Sequence, residues 1–236
     1  AVTAAALNIA NVETIQLTTI TAGSYIDGTG ITGGKTIQLA DTDSAAGLAV
    51  TFTNMPAGIT YLLGGIAAET DLEFTGTLDI SLADETGTND TILLKTTDSD
   101  GNNDVNATIK TTSGNIETLS IEHNTDTTAN DSTFVLTDAK VSKIIVTKGS
   151  ASGNDEIVAL GSLNAATTTI DASTFDGLLT GTTTATGAAT ITLKNGLAGN
   201  TIVTGDGNDT VTILNCGAAD PVDGGAGTDT LNGTLT

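Results

Sequence analysis

Short apolar stretches alternate with polar turns along the whole chain. They lie at residues 7–9, 14–17, 78–82, 91–94, 116–121, 144–146, 191–193, 202–203 and 211–213. Within them, aliphatic residues recur mainly at every second position, with Thr, Ser, Asn or another polar residue between. That period sends one set of side chains to each face of an extended segment, so these stretches predict strands. The strands are short and closely spaced, which suits a sandwich, a barrel or a β-solenoid. Between them Gly, Thr, Asn, Asp and Ser dominate, the vocabulary of turns and strand edges.

An internal repeat favours a stack. Asn11-Val12-Glu13-Thr14-Ile15-Gln16-Leu17 matches Asn115-Ile116-Glu117-Thr118-Leu119-Ser120-Ile121, and Lys140-Val141-Ser142-Lys143-Ile144-Ile145-Val146 is a looser copy. In each copy an aliphatic residue enters, the chain turns a corner, and a short strand follows. Such a unit cannot bury its apolar face alone, but stacked units form a continuous ladder. Residues 48–75 differ, holding Phe52, Met55, Pro56, Tyr61, Phe74 and a Gly64-Gly65 step. This stretch reads as an insertion, a cap on one end of the stack or a contact surface, with a short helix near 66–72 compatible with its pattern.

Composition strengthens the case for a stack. Only 3% of the 236 residues are aromatic and none is Trp. The core must therefore be built from Val, Ile, Leu and Ala, which suits thin regular layers better than a globule of interlocking large side chains. The net charge is −21, and all seven basic residues are Lys. Phosphate recognition needs clustered Lys or Arg, so a nucleic-acid partner is not expected. No run approaches the roughly 20 apolar residues that span a bilayer, so no membrane insertion is expected either. Crowded carboxylates repel one another, and divalent cations would offset that repulsion. Cys216 is the single cysteine, so no internal disulfide can form; a small buried hydrophobe is its default role.

The strongest chemical signal lies near the C-terminus. Gly224-Gly225-Ala226-Gly227-Thr228-Asp229-Thr230-Leu231-Asn232 fits the nonapeptide G-G-x-G-x-D-x-U-x throughout, where U is a large aliphatic residue. Thr204-Gly205-Asp206-Gly207-Asn208-Asp209-Thr210-Val211-Thr212 departs from it only at Thr204. The glycines permit tight turns, and aspartate offers hard oxygens to calcium, which takes six to eight oxygen ligands at about 2.3–2.6 Å. The motif resembles the repeat-in-toxin (RTX) family of calcium-binding parallel β-rolls, whose members leave Gram-negative cells by type I secretion. The resemblance covers roughly residues 203–233. It implies that Asp209 and Asp229 ligate Ca2+, and that Gly205, Gly207, Gly224, Gly225 and Gly227 supply the turns and their carbonyls. Asp206 and Asp223 stand in the same turns and complete the acidic candidates. The two copies start 20 residues apart, whereas uninterrupted nonapeptides would give 18, so one or two ions are expected here rather than a continuous ladder of them.

Weaker copies lie upstream. Gly153-Asn154-Asp155-Glu156-Ile157 keeps half of the motif, with Asp155 as its ligand candidate, and Gly87-Thr88-Asn89-Asp90-Thr91-Ile92 is a stretched version. Asp98, Asp100 and Asp104 cluster around Gly101. Each of these also reads as an ordinary solvated Asx turn. Residues 1–200 are similar in pattern and composition to bacterial surface-layer proteins that share this export route. Together the resemblances imply an all-β fold: a parallel β-solenoid or β-roll-like stack of short strands with Gly/Asp-rich turns, strand-rich over 1–200 and calcium-binding over 201–236.

The functional expectation is a structural, non-catalytic subunit of a calcium-dependent surface layer, extracellular and associating with itself. A glycan- or surface-binding module of an RTX adhesin is the alternative. Thr-x-Thr pairs such as Thr190/Thr192 and Thr210/Thr212 are compatible with a regular outward array. A secreted polysaccharide-degrading enzyme is the third reading. Parallel β-helix polysaccharide lyases use calcium too, but they abstract a proton with a basic residue, usually Arg, and this chain has none. Its single His, His123, lies in a polar run and reads as an exposed surface residue. No nucleophile elbow, zinc helix or phosphate-cradling loop is present.

Overall fold

The computed structural model describes residues 5–6, 8–17, 23–39, 48–64, 74–97, 105–111, 115–124, 131–137, 141–148, 157–163, 169–175, 178–183, 190–193, 201–204, 208–216 and 221–235. They form 22 strands, numbered β1–β22 in chain order, and one 3-10 turn at Gly28–Gly30; no α-helix occurs among them.

Twenty strands make two sheets of ten. The first runs β1 (Ala5–Ala6), β4 (Ser24–Asp27), β7 (Leu48–Met55), β9 (Thr75–Leu82), β11 (Val105–Lys110), β13 (Asp131–Leu136), β15 (Ile157–Leu163), β17 (Leu178–Thr183), β19 (Thr201–Val203) and β21 (Val222–Asp223). The second runs β3 (Thr14–Leu17), β6 (Thr36–Leu39), β8 (Thr60–Gly64), β10 (Thr91–Thr97), β12 (Thr118–His123), β14 (Lys143–Lys148), β16 (Thr169–Thr174), β18 (Thr190–Leu193), β20 (Thr210–Cys216) and β22 (Thr230–Leu235). A short pair, β2 (Ile9–Ala10) with β5 (Ile31–Thr32), stands apart.

Every pairing is parallel. Parallel neighbours need a crossover of a dozen or more residues. Here each crossover runs through the opposite sheet, so the chain winds as a parallel β-solenoid.

The register shows how the coil tightens. Ile92 lies beside Leu119, Leu119 beside Ile144, Ile144 beside Ile170, Ile170 beside Ile191, Ile191 beside Val211 and Val211 beside Leu231. Successive partners are thus 27, 25, 26, 21, 20 and 20 residues apart. From Ile92 to Val211 this row is buried throughout, an aliphatic ladder along the axis. Stacked aliphatic residues fill a thin interior without the large rings that a globule needs.

Residues 48–64 are neither an insertion nor an end cap. They are β7 and β8, paired on both sides within the ladder. Their bulky side chains lie in the interior: the Phe52 and Tyr61 rings meet edge-on at 5.1 Å, and both are buried. The expected helix near 66–72 lies outside the described residues. The ladder also crosses residue 200 without a break, since β17 pairs with β19 and β18 with β20.

Candidate metal-binding corner

Among the described residues, Glu13, Lys35, Asp90, Glu117, Ser142 and Asp209 each stand just before a strand of the second sheet and form one corner of the solenoid. Each of their carbonyls receives an amide at the start of the corresponding strand of the next coil. Glu13 O accepts from Lys35 N at 3.3 Å and Thr36 N at 3.0 Å; Glu117 O accepts from Ser142 N and Lys143 N, both at 3.0 Å. The repeat at 11–17, 115–121 and 140–146 is this corner. Val12, Ile116 and Val141 lead into it, and Glu13, Glu117 and Ser142 occupy it.

Two consecutive corners carry acids at the C-terminal end. Asp209 and Asp229 precede β20 and β22, and the 20-residue coil brings them together. Asp209 N donates to Asp229 Oδ1 at 3.0 Å, and Thr230 N donates to Asp209 O at 2.8 Å. Thr228 N donates to Asn208 Oδ1 at 2.9 Å, tying the same two turns together. The 20-residue spacing, two longer than paired nonapeptides require, therefore equals the local coil length and stacks residues 208–212 against 228–232.

The glycines act through backbone shape and space. Gly225 has φ +70° and Gly227 φ +141°, both in the region that favours glycine. A Cβ on Gly224 would stand 2.5 Å from Asp229 Oδ2, so the absence of a side chain there lets the Asp229 carboxylate fold over the turn. Asp223 ends β21: its Oδ1 accepts from Gly225 N at 3.0 Å, and its carbonyl accepts from Thr204 N at 2.9 Å. Asp209 is only 2% exposed, whereas Asp223 and Asp229 are exposed. Gly205, Asp206, Gly207, Asp155, Asp98, Asp100 and Asp104 lie outside the described residues.

A second acidic pair occupies the same corner in mid-stack. Asp90 N donates to Glu117 Oε2 at 2.9 Å, and Asp90 O accepts from Glu117 N at 3.1 Å and Thr118 N at 3.0 Å. This repeats the Asp209/Asp229 arrangement, one carboxylate capping the amide of the corner before it. Sequence reasoning found Asp90 only as a stretched motif and did not pair it with Glu117. The available signal was an acid-Thr-aliphatic step recurring one coil later.

The donor chemistry fits a hard cation. Adjacent coils lie about 4.8 Å apart, and like charges near 4 Å interact by about 1 kcal/mol in water and about 4 kcal/mol at a partly shielded surface. A divalent ion at the corner would relieve that repulsion. Two carboxylates per corner are fewer than the six to eight oxygen ligands that calcium takes. Among the described residues, no group of three His, Cys, Asp or Glu side chains converges as a metal centre. Elsewhere, Lys95 pairs with Glu122 on the second sheet.

His123 is not a surface residue. It is fully buried, with Nε2 3.0 Å from Ser132 Oγ and its ring edge-on to Phe175 at 6.0 Å. Alternation along β12 places it inside with Leu119 and Ile121, although its sequence neighbours are polar. A shallow depression of about 360 Å³ lies along β9, β11 and β13, lined by residues including Thr75, Thr77, Asn106, Thr108 and Thr133. Compared with protein-family models, with curated proteins and with solved structures, the chain shows no match.

Proposed function

We propose that this chain is a structural, non-catalytic building block of a calcium-dependent bacterial surface layer or comparable extracellular assembly. The observation that carries the reading is the corner row of the solenoid, where carboxylates stack in consecutive coils at Asp90/Glu117 and Asp209/Asp229. In this reading the chain reaches the cell surface by type I secretion. Carboxylate repulsion loosens the stack where calcium is scarce. Outside the cell, calcium binds between coils, and binding to the folded state alone stabilises it, by about 2.7 kcal/mol at a hundredfold excess over Kd. The single His is buried in the core against Ser132 and Phe175.

The test is a calcium titration of chelator-treated protein, followed by circular dichroism and light scattering. The expected outcome is a rise in β signal and thermal midpoint, followed by assemblies much larger than one chain. Equal folding and an unchanged monomer with and without calcium would sink the reading.

The depression along β9, β11 and β13 favours the second reading, a glycan-binding module. Retention of calcium-loaded monomer on immobilised polysaccharide, without assembly, would select it.

A further inference from the structure

We infer that the depression on the outer face of the first sheet binds a neutral, linear polysaccharide lying along the solenoid axis. The inference rests on the glycan-binding reading and names its ligand class.

Strand alternation builds the site. Thr75 and Thr77 on β9, Asn106 and Thr108 on β11, and Thr133 and Val135 on β13 line the depression of about 360 Å³. They stand on the outer face, because residues that alternate with them, among them Leu78, Ala107, Ile109 and Phe134, are buried. Register sets them in two rows: Thr75 beside Asn106 beside Thr133, and Thr77 beside Thr108 beside Val135. Neighbours within a row are about 4.8 Å apart, and the rows are about 6.6 Å apart. Both rows cross the strands and so run along the axis of the solenoid.

Charge narrows the ligand class. None of the residues lining the depression is charged, although the chain carries a net −21. On the same strands Asp79 and Lys110 stand side by side in register, two residues beyond Thr77 and Thr108, and their charges offset one another. A polyanion is repelled by the molecule as a whole, and a nucleic acid finds no cluster of cations here.

Backbone pairing and shape exclude two further classes. β11 is paired with β9 on one side and β13 on the other, so an extended peptide finds no free edge there to add to. A small apolar ligand needs a concave cleft that buries most of its surface, and this depression is shallow and open.

A neutral sugar polymer matches the groups present. Threonine hydroxyls and the Asn106 amide both donate and accept hydrogen bonds, as sugar hydroxyls do. The threonine methyls and Val135 offer apolar contact to the C–H faces of the rings. A polymer lying along the two rows repeats these contacts from coil to coil, which offsets the weakness of each one.

Affinity electrophoresis tests the inference. The calcium-loaded chain is run through native gels containing dextran, mannan or hydroxyethylcellulose, and through one containing hyaluronate as an acidic counterpart. The expected result is retardation by a neutral polysaccharide and none by hyaluronate. Thr108→Arg fills the depression from its middle strand. A triple variant, Thr75→Val, Thr77→Val and Thr108→Val, keeps the shape and removes three hydroxyls. Each should weaken the retardation about tenfold, the effect of losing one well-placed contact. Ser120→Arg, on the outer face of the second sheet, should leave it unchanged. Circular dichroism first shows each variant to be folded. Retardation of the parent chain that survives both changes would overturn the depression as the site and leave the glycan-binding reading standing. Retardation by hyaluronate alone would overturn the neutral class. No retardation by any of the four would remove that reading and the inference with it.

Discussion

At the scale of single residues, Tyr61 carries a polar group into the core. Its ring packs edge-on against Phe52, but among the described residues no hydrogen bond reaches its hydroxyl. Burial pushes its phenol well above the ordinary value of 10.0. The unfolded chain therefore loses this proton first. Above about pH 10 it binds fewer protons than the folded chain, and stability falls as pH rises. Tyr61→Phe removes a buried polar group without a partner, which should stabilise the fold by about 1 kcal/mol and flatten the alkaline loss; urea midpoints from neutral to alkaline pH measure both. The acidic side has the opposite sign. The Thr29 hydroxyl, then the Thr29 and Asn54 amides, hold the Asp27 carboxyl below its usual range, and Thr86 does the same for Asp84. Their contribution is present at neutral pH and is lost as pH falls through those lowered values.

At the scale of elements, one rule organises the second sheet. Nine of its ten strands begin with threonine, from Thr14 to Thr230, and an aliphatic or aromatic residue follows each one. The threonine precedes the inward residue, and the corner residue precedes the threonine. Equivalent positions then differ only in what covers them. Leu119 sits between coils and is buried, whereas Leu231 closes the ladder and is exposed. Leu119→Ala should cost about 2–5 kcal/mol through lost burial and a residual cavity. Leu231→Ala should cost within about 0.5 kcal/mol in the isolated chain. Paired urea denaturation curves decide between position and residue type as the cause.

At the scale of the whole molecule, charge opposes the stack. A net charge of −21 on a narrow solenoid is self-repulsive. Screening should therefore stabilise the chelated chain without any specific site. Raising ionic strength from about 0.01 M to about 0.15 M shortens the Debye length from about 30 Å to about 8 Å, and the thermal midpoint should rise accordingly. Calcium should raise it further at constant ionic strength, where sodium cannot. Equal effects of the two ions at matched ionic strength would reduce the corner carboxylates to general screening.

The sequence by itself determined the all-β class, the aliphatic interior and the stacked architecture, because period-two alternation marks short strands, while the repeated corner segment and a nearly ring-free composition favour thin stacked layers over a sandwich or barrel. It also marked Asp209 and Asp229 as the acids of two like Gly-rich turns, because glycine spacing is a local property of the backbone. Only the tertiary structure decided which distant residues share a corner. Coil length varies from 27 to 20 residues between the Ile92 and Val211 levels, so no fixed period reveals that Asp90 lies under Glu117. It alone turned His123 inward, since the face of a strand depends on register rather than on the polarity of its neighbours. It also set Phe52 and Tyr61 inside the stack, where bulk that read as an interruption is part of the core.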